Sequence, residues 1–307
     1  MRKTINNVKI EGKVYDHSLK TGVSKTGKNY VMGELQIQVS DTNTVPVRFI
    51  EMETSSLGNE NKKYKTLVNL MNTVVTVSNA KEGQEPTCVS IGASTLAPEE
   101  FTTDGVVKTN FRKAIQSGGF VNVIQPNQMN PQATFKNDVM ITGTVREIDP
   151  VTTLEKDYLT VNAYVFDYKN SITPMTFQIY NPNGINYFQS LAPNTFTQIW
   201  GKIESNTIKT VVETQNAFGE PLVEETTRTT KQWVITGANQ VPFGEDQMTV
   251  EEWNNCLANR NMYTAELAKK EQEFKVNKNQ GGINTAPQGG NPFGGLAGAT
   301  STGAFAF

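Results

Sequence analysis

The feature that most constrains this chain is that it repeats itself once. The stretch Val8-Lys9-Ile10-Glu11-Gly12-Lys13-Val14 aligns with Val139-Met140-Ile141-Thr142-Gly143-Thr144-Val145, with a glycine at the same place in each. Alternating apolar residues read as half-buried strands, and a glycine inside a strand marks a bulge or a sharp bend. Each copy then crosses a polar loop, residues 16–29 and 149–157, and reaches a tyrosine that opens a long alternating strand. An offset of 128 residues carries Tyr30 onto Tyr158, Pro46 onto Pro174 and Phe49 onto Phe177. A short segment with helical spacing follows in each copy, residues 64–71 and 184–191, and then a further strand at 72–77 and at 194–203.

Strand, loop, strand, strand, helix, strand is an order that resembles an OB-fold. That fold is a five-stranded Greek-key barrel whose second and third strands, with flanking loops, form the usual ligand face. The expected architecture is therefore all-β with a C-terminal helix: two tandem OB-fold barrels at 1–124 and 133–245, joined by a polar linker at 125–132. Thr103-Asp104-Gly105 is a plausible hairpin turn in the first half, and Gly219-Glu220-Pro221 lies inside a hairpin expected at 209–237 in the second. Thr249-Val250-Glu251-Glu252 has the spacing of a capping box, and Trp253, Cys256, Leu257, Tyr263, Leu267 and Phe274 recur at helical intervals, which predicts a helix within 246–280. Residues 281–307 are rich in Gly, Asn and Ala, carry no charge, and read as a disordered tail tipped by Phe305-Ala306-Phe307.

Several classes of chemistry find no support. The single histidine, His17, leaves no material for a catalytic triad or a His-based metal site. No glycine loop of the GxxxxGK type is present, and Cys88 and Cys256 lack the paired spacing of a zinc or redox motif, so both read as buried thiols. No segment approaches the ~20 apolar residues that span a bilayer, and the first residues lack an apolar targeting run. The expectation is a non-enzymatic protein of the cytoplasm, with no cofactor, no metal and no membrane partner.

Strand parity separates core from surface, because successive side chains point to opposite faces. Val31, Leu35, Ile37 and Val39 share one face of their strand, which leaves Tyr30 on the other with Met32, Glu34, Gln36 and Gln38. In the second copy Leu159, Val161, Ala163 and Val165 point inward, so Tyr158, Tyr164 and Phe166 point outward. Such aromatics are either stacking platforms for bases or are covered by the hairpin, the C-terminal helix or a partner subunit. Trp200 is a further candidate, while Trp233 reads as core. Residues 1–130 carry net +3 and residues 131–245 net −4, so the first half suits phosphate better. Its loop lysines Lys20, Lys25 and Lys28 and the outward Arg48 could grip a nucleic-acid backbone.

The whole arrangement looks like a single-stranded DNA-binding protein of the kind found in phage replication. The resemblance implies single-stranded DNA as partner, bound without sequence preference during replication, recombination or repair. It also implies recruitment of replication proteins through the tail, at Phe305 and Phe307. In the bacterial family the tail ends in acids and a phenylalanine; this one keeps Phe307 and lacks the acids. A protein-interaction or structural adaptor and a single-stranded RNA binder use the same fold, and the 2′-hydroxyl contacts that separate RNA from DNA are not readable in sequence.

Overall fold

The computed structural model describes residues 3–279 except 25, 56, 112–113, 118–119, 151, 168–169, 215–221 and 242–246. The first half comprises β1 (Asn6–His17), β2 (Lys20–Val23), β3 (Asn29–Gln38), β4 (Thr44–Met52), α1 (Lys62–Thr73), β5 (Cys88–Leu96), β6 (Glu99–Thr103), β7 (Val106–Asn110), β8 (Ile115–Ser117) and β9 (Val121–Ile124). The second comprises β10 (Gln132–Ile148), β11 (Glu155–Phe166), β12 (Ile172–Ile179), α2 (Pro182–Ser190), β13 (Thr195–Thr214), β14 (Leu222–Ala238) and the terminal helix α3 (Val250–Asn279).

Strand pairing closes on itself in each half. β1 pairs β3, β3 pairs β4, β4 meets β8 in parallel at Arg48 and Gln116, β8 pairs β5, and β5 returns to β1. In the second half β10, β11 and β12 follow in order, β12 meets β14 in parallel at Gln178 and Val234, and β13 returns to β10. The repeat is preserved in the register itself. Gly33 faces Phe49 and Val161 faces Phe177; Gln36 faces Pro46 and Tyr164 faces Pro174, all at the 128-residue offset.

Period-two apolar patterning places Val31, Leu35, Ile37, Phe49, Leu159, Val161 and Phe177 inside with at most 1% exposure. Such a side chain contributes roughly 1.5–3 kcal/mol on burial. The apolar interiors of the two halves form one contiguous cluster, and within the second half Phe135 and Phe177 lie 5.4 Å apart. Leu67 and Leu70 of α1, and Ile185 and Phe188 of α2, complete the cores. Asn61 and Asn181 cap these helices by accepting from Lys63 N and from Asn183 N and Gly184 N. The repeated glycines sit at a close approach in β1 and at an irregularity in β10. A Cβ on Gly12 would stand 2.2 Å from Gln38 O, while Gly143 lies at a register shift in β10.

The expected strand at 72–77 does not form. Asn72 and Thr73 finish α1, and the next residues run as a loop. Most of the β1 edge is already taken by β5, which leaves only Val14 O and Tyr15 O to accept from Val77 N and Ser78 N. The fourth strand of the circuit begins instead at Cys88. The loop expected at 16–29 carries the extra strand β2. The β6–β7 hairpin turns at Asp104 and Gly105, as the sequence indicates, with φ of 52° and 76°. The β13–β14 hairpin is paired as far as Thr214 and Leu222; its Gly219-Glu220-Pro221 tip lies outside the described residues.

The halves lie edge to edge. β1 and β10 pair antiparallel from Asn6 opposite Asn137 to Glu11 opposite Gln132. Between them residues 125–132 make one 3-10 turn, Pro126–Gln128, before β10 starts. Helix α3 opens on the capping box, Thr249 N donating to Glu252 Oε2 at 2.9 Å and Glu252 N to Thr249 Oγ1 at 3.2 Å. It then buries Trp253 and Cys256 against Met140, Phe166 and Phe196 of the second half. Farther on it reaches the first half, where Arg260 pairs with Glu100 and Glu271 accepts from Asp104 N and Gly105 N. Among the described residues no helix is long and apolar enough to cross a membrane.

Candidate nucleic-acid interface

On the second half the outward face of β11 is largely occupied. Phe166 has 0% exposure and lies 5.8 Å from Phe196, edge to face. Its parity is outward, but α3 covers it, so the expected stacking platform is a core residue of a second apolar cluster. Tyr164 sits 5.7 Å from Trp253 and is held under the same helix. Tyr158 remains half-buried, its ring 5.4 Å from Tyr180 and its hydroxyl donating to Glu147 Oε2 at 3.0 Å. Lys156 Nζ donates to that carboxylate at 2.7 Å and to the tyrosine hydroxyl at 2.9 Å. Lys156, with help from Thr160, holds the Glu147 carboxyl below the usual carboxylate range, and Glu147 in turn pushes the Lys156 ammonium up. This cation is answered within the protein.

On the first half Arg48 is 6% exposed and donates from Nη1 to Glu99 Oε2 at 3.4 Å. The β6–β7 hairpin folds over the outward side of β4 and takes the guanidinium out of reach of a phosphate. Tyr30 stays half-buried at the other end of that face. Its ring lies across Gly22, its register partner on β2, where a Cβ would stand 2.6 Å from the hydroxyl oxygen. Lys20 and Lys28 are exposed beside it, and Ile50, 48% exposed, continues the surface opposite Met32. Lys25, Phe305 and Phe307 lie outside the described residues.

Of the aromatics expected to stack on bases, the most open is Trp200, on β13, at 37% exposure. It faces Lys136 on β10 and lies across Gly237 on β14, where a Cβ would stand 2.5 Å from its Nε1. Lys202 follows two residues on and shares the face. Trp200, Lys136, Lys202, Thr134, Thr236 and neighbouring residues line a groove of about 520 Å³. Trp200 is a weaker candidate than the tyrosines in sequence, and Lys136 and Lys202 are not singled out there. Their signal is parity within two strands, but only pairing of β10 with β13 puts both beside one ring.

Cys88 and Cys256 are buried, which pushes both thiols up, and among the described residues no group of His, Cys, Asp and Glu could hold a metal ion.

The YorF family profile matches residues 4–273. No curated protein matches the chain. Two solved structures from Thermus aquaticus are similar, the wild-type single-stranded DNA binding protein and a deletion mutant of it. Each has a TM-score of 0.47 and 9% identity; they cover 81% and 80% of this chain and 99% and 100% of their own.

Proposed function

The chain belongs to the YorF family, and we propose that it binds single-stranded DNA without sequence preference, in replication or recombination. The two strand circuits act as tandem OB-fold barrels, at 1–124 and 133–245. The observation that carries this reading is a feature shared by the two halves: each presents an aromatic ring packed against a glycine of the neighbouring strand, with lysines beside it. Tyr30 lies over Gly22 near Lys20 and Lys28, and Trp200 lies over Gly237 near Lys136 and Lys202. A partly exposed ring held against the sheet is open to a base, and base stacking on aromatics is worth about 1–3 kcal/mol per base without regard to sequence. Lysines close by neutralise the phosphates. The tail, with Phe305 and Phe307, serves contacts with replication proteins.

The test is a fluorescence-anisotropy titration of labelled oligo-dT at about 50 and 200 mM salt, with duplex DNA and RNA of matching sequence as competitors. Binding that weakens with salt and resists duplex supports the proposal. Equal competition by RNA would move the substrate to single strands in general, and no binding at the lower salt would leave the adaptor reading in its place.

A further inference from the structure

Because β1 pairs with β10, the face that carries Trp200 does not stop at the second half. Lys9 of β1 faces Thr134 of β10, which faces Lys202 of β13; one row over, Lys136 faces Trp200, which faces Gly237 of β14. Residues directly opposite in an antiparallel pair point to the same side. Lys9, Lys136 and Lys202 are therefore neighbours around one exposed indole, with Lys9 and Lys202 two strand spacings, about 10 Å, apart. All three are exposed, and none has an ion-pair partner among the described residues. The basic stretch ends at Glu204, the next residue of this parity on β13. A half-open groove of about 520 Å³ runs beside the indole.

We infer that the two halves build one composite site here, which takes a short run of single-stranded DNA across β14, β13, β10 and β1. One base stacks on Trp200, and consecutive phosphates lie on Lys136, Lys202 and Lys9. This inference rests on the proposed single-strand binding and adds the location, the route and the contribution of both halves. Duplex DNA does not fit this site, because an indole stacks on a base only when that base is unstacked from its neighbours. The route also accounts for the use of a face other than β11–β12, which α3 covers in the second half, and other than the Arg48 region, which the β6–β7 hairpin covers in the first.

The chain has its own probe for this site. Of its three tryptophans, Trp233 and Trp253 are 5% and 8% exposed and Trp200 is 37% exposed, so quenching of intrinsic fluorescence by oligo-dT reports stacking on Trp200. The experiment pairs that titration with anisotropy of labelled oligo-dT at several salt concentrations, on the full chain, Trp200→Ala, Trp200→Phe, Lys9→Ala and the Lys9→Ala/Lys136→Ala/Lys202→Ala triple variant. The full chain is expected to be quenched in step with anisotropy. Trp200→Ala should bind at least ~5-fold more weakly, with Trp200→Phe recovering much of the loss, since ~1–3 kcal/mol of stacking is at stake. The salt slope should fall by about 2 in the triple variant and by about 0.7 in Lys9→Ala, at ~0.7 per phosphate contact on a single strand. The lysines are surface residues, so the triple variant keeps the test valid if Trp200→Ala disturbs folding. Oligo-dT binding by the full chain without quenching, and with an unchanged slope in the triple variant, would overturn the site while leaving single-strand binding intact. Absence of any binding would overturn both.

Discussion

Asn6 and Asn137 face each other across the β1–β10 pair, and Asn137 Nδ2 donates to Asn6 Oδ1 at 2.7 Å. Asn6 also accepts from Leu96 N at 2.8 Å and donates from Nδ2 to Leu96 O in the first half and Phe166 O in the second, both at 2.8 Å. One amide thereby uses its full hydrogen-bonding capacity to join the halves. The proposed composite site depends on this junction, because it sets Lys9 beside the strands that carry Lys136 and Lys202.

Asn6→Ala should destabilise the fold by about 1–3 kcal/mol, the cost of leaving buried polar partners unpaired. The substitution strands Asn137, which has 0% exposure. Chemical denaturation followed by circular dichroism measures the loss. A variant as stable as the wild type would show that the β1–β10 ladder alone holds the halves together.

The pair of Arg260 and Glu100 fastens α3 to the first half, with side chains 10% and 2% exposed. Glu100→Ala leaves a buried guanidinium without its partner, at a cost of about 3–5 kcal/mol. Labelling of Cys256, 5% exposed on the buried face of α3, should accelerate in this variant, with Cys88, 2% exposed in the core, as the internal reference. Equal acceleration at both thiols would mean global unfolding rather than release of the helix.

Gly237→Ala should disturb Trp200 and little else. The added Cβ would stand 2.5 Å from the indole Cε2 and Nε1, so the ring must swing off the sheet. Weaker oligo-dT binding with a shifted tryptophan emission and near-normal thermal stability is the expected result. Unchanged binding would count against stacking on this ring.

Glu147 supplies a pH signature. Its carboxyl is held below the ordinary range chiefly by the hydrogen bond from Lys156, so the folded chain binds fewer protons than the unfolded one over that interval. The associated stability is fully present above the unfolded value, about 4.3, and is lost as pH falls through the lower folded value. In melts between pH 6 and pH 3, Glu147→Gln should melt below the wild type at the upper end and converge with it at the lower end. A gap independent of pH would show that the carboxylate contributes by shape alone.

The repeated strand order was legible because its signal is local and doubled. Gly12 and Gly143, Tyr30 and Tyr158, and Pro46 and Pro174 fixed the alignment, and the β3–β4 and β11–β12 registers reproduce it residue for residue. The strand misread at 72–77 was equally local in signal, Val74, Val75 and Val77, but the β1 edge it needed was taken by β5. Parity gave the side of the sheet on which Arg48, Tyr164 and Phe166 stand. It gave no exposure, because the covers are a hairpin about 50 residues beyond Arg48 and a helix about 90 beyond Phe166. Lys9, Lys136 and Lys202 come from three strands, and their proximity exists only once those strands pair.

The most direct measurement is photo-cross-linking of an oligo-dT substituted with 5-iododeoxyuridine, followed by mass-spectrometric mapping of the modified peptides. The account requires adducts on Trp200, with Tyr30 as the second acceptor, and their suppression by unlabelled oligo-dT but not by duplex. Adducts confined to α3 or to the β6–β7 hairpin, or equal suppression by duplex, would contradict it.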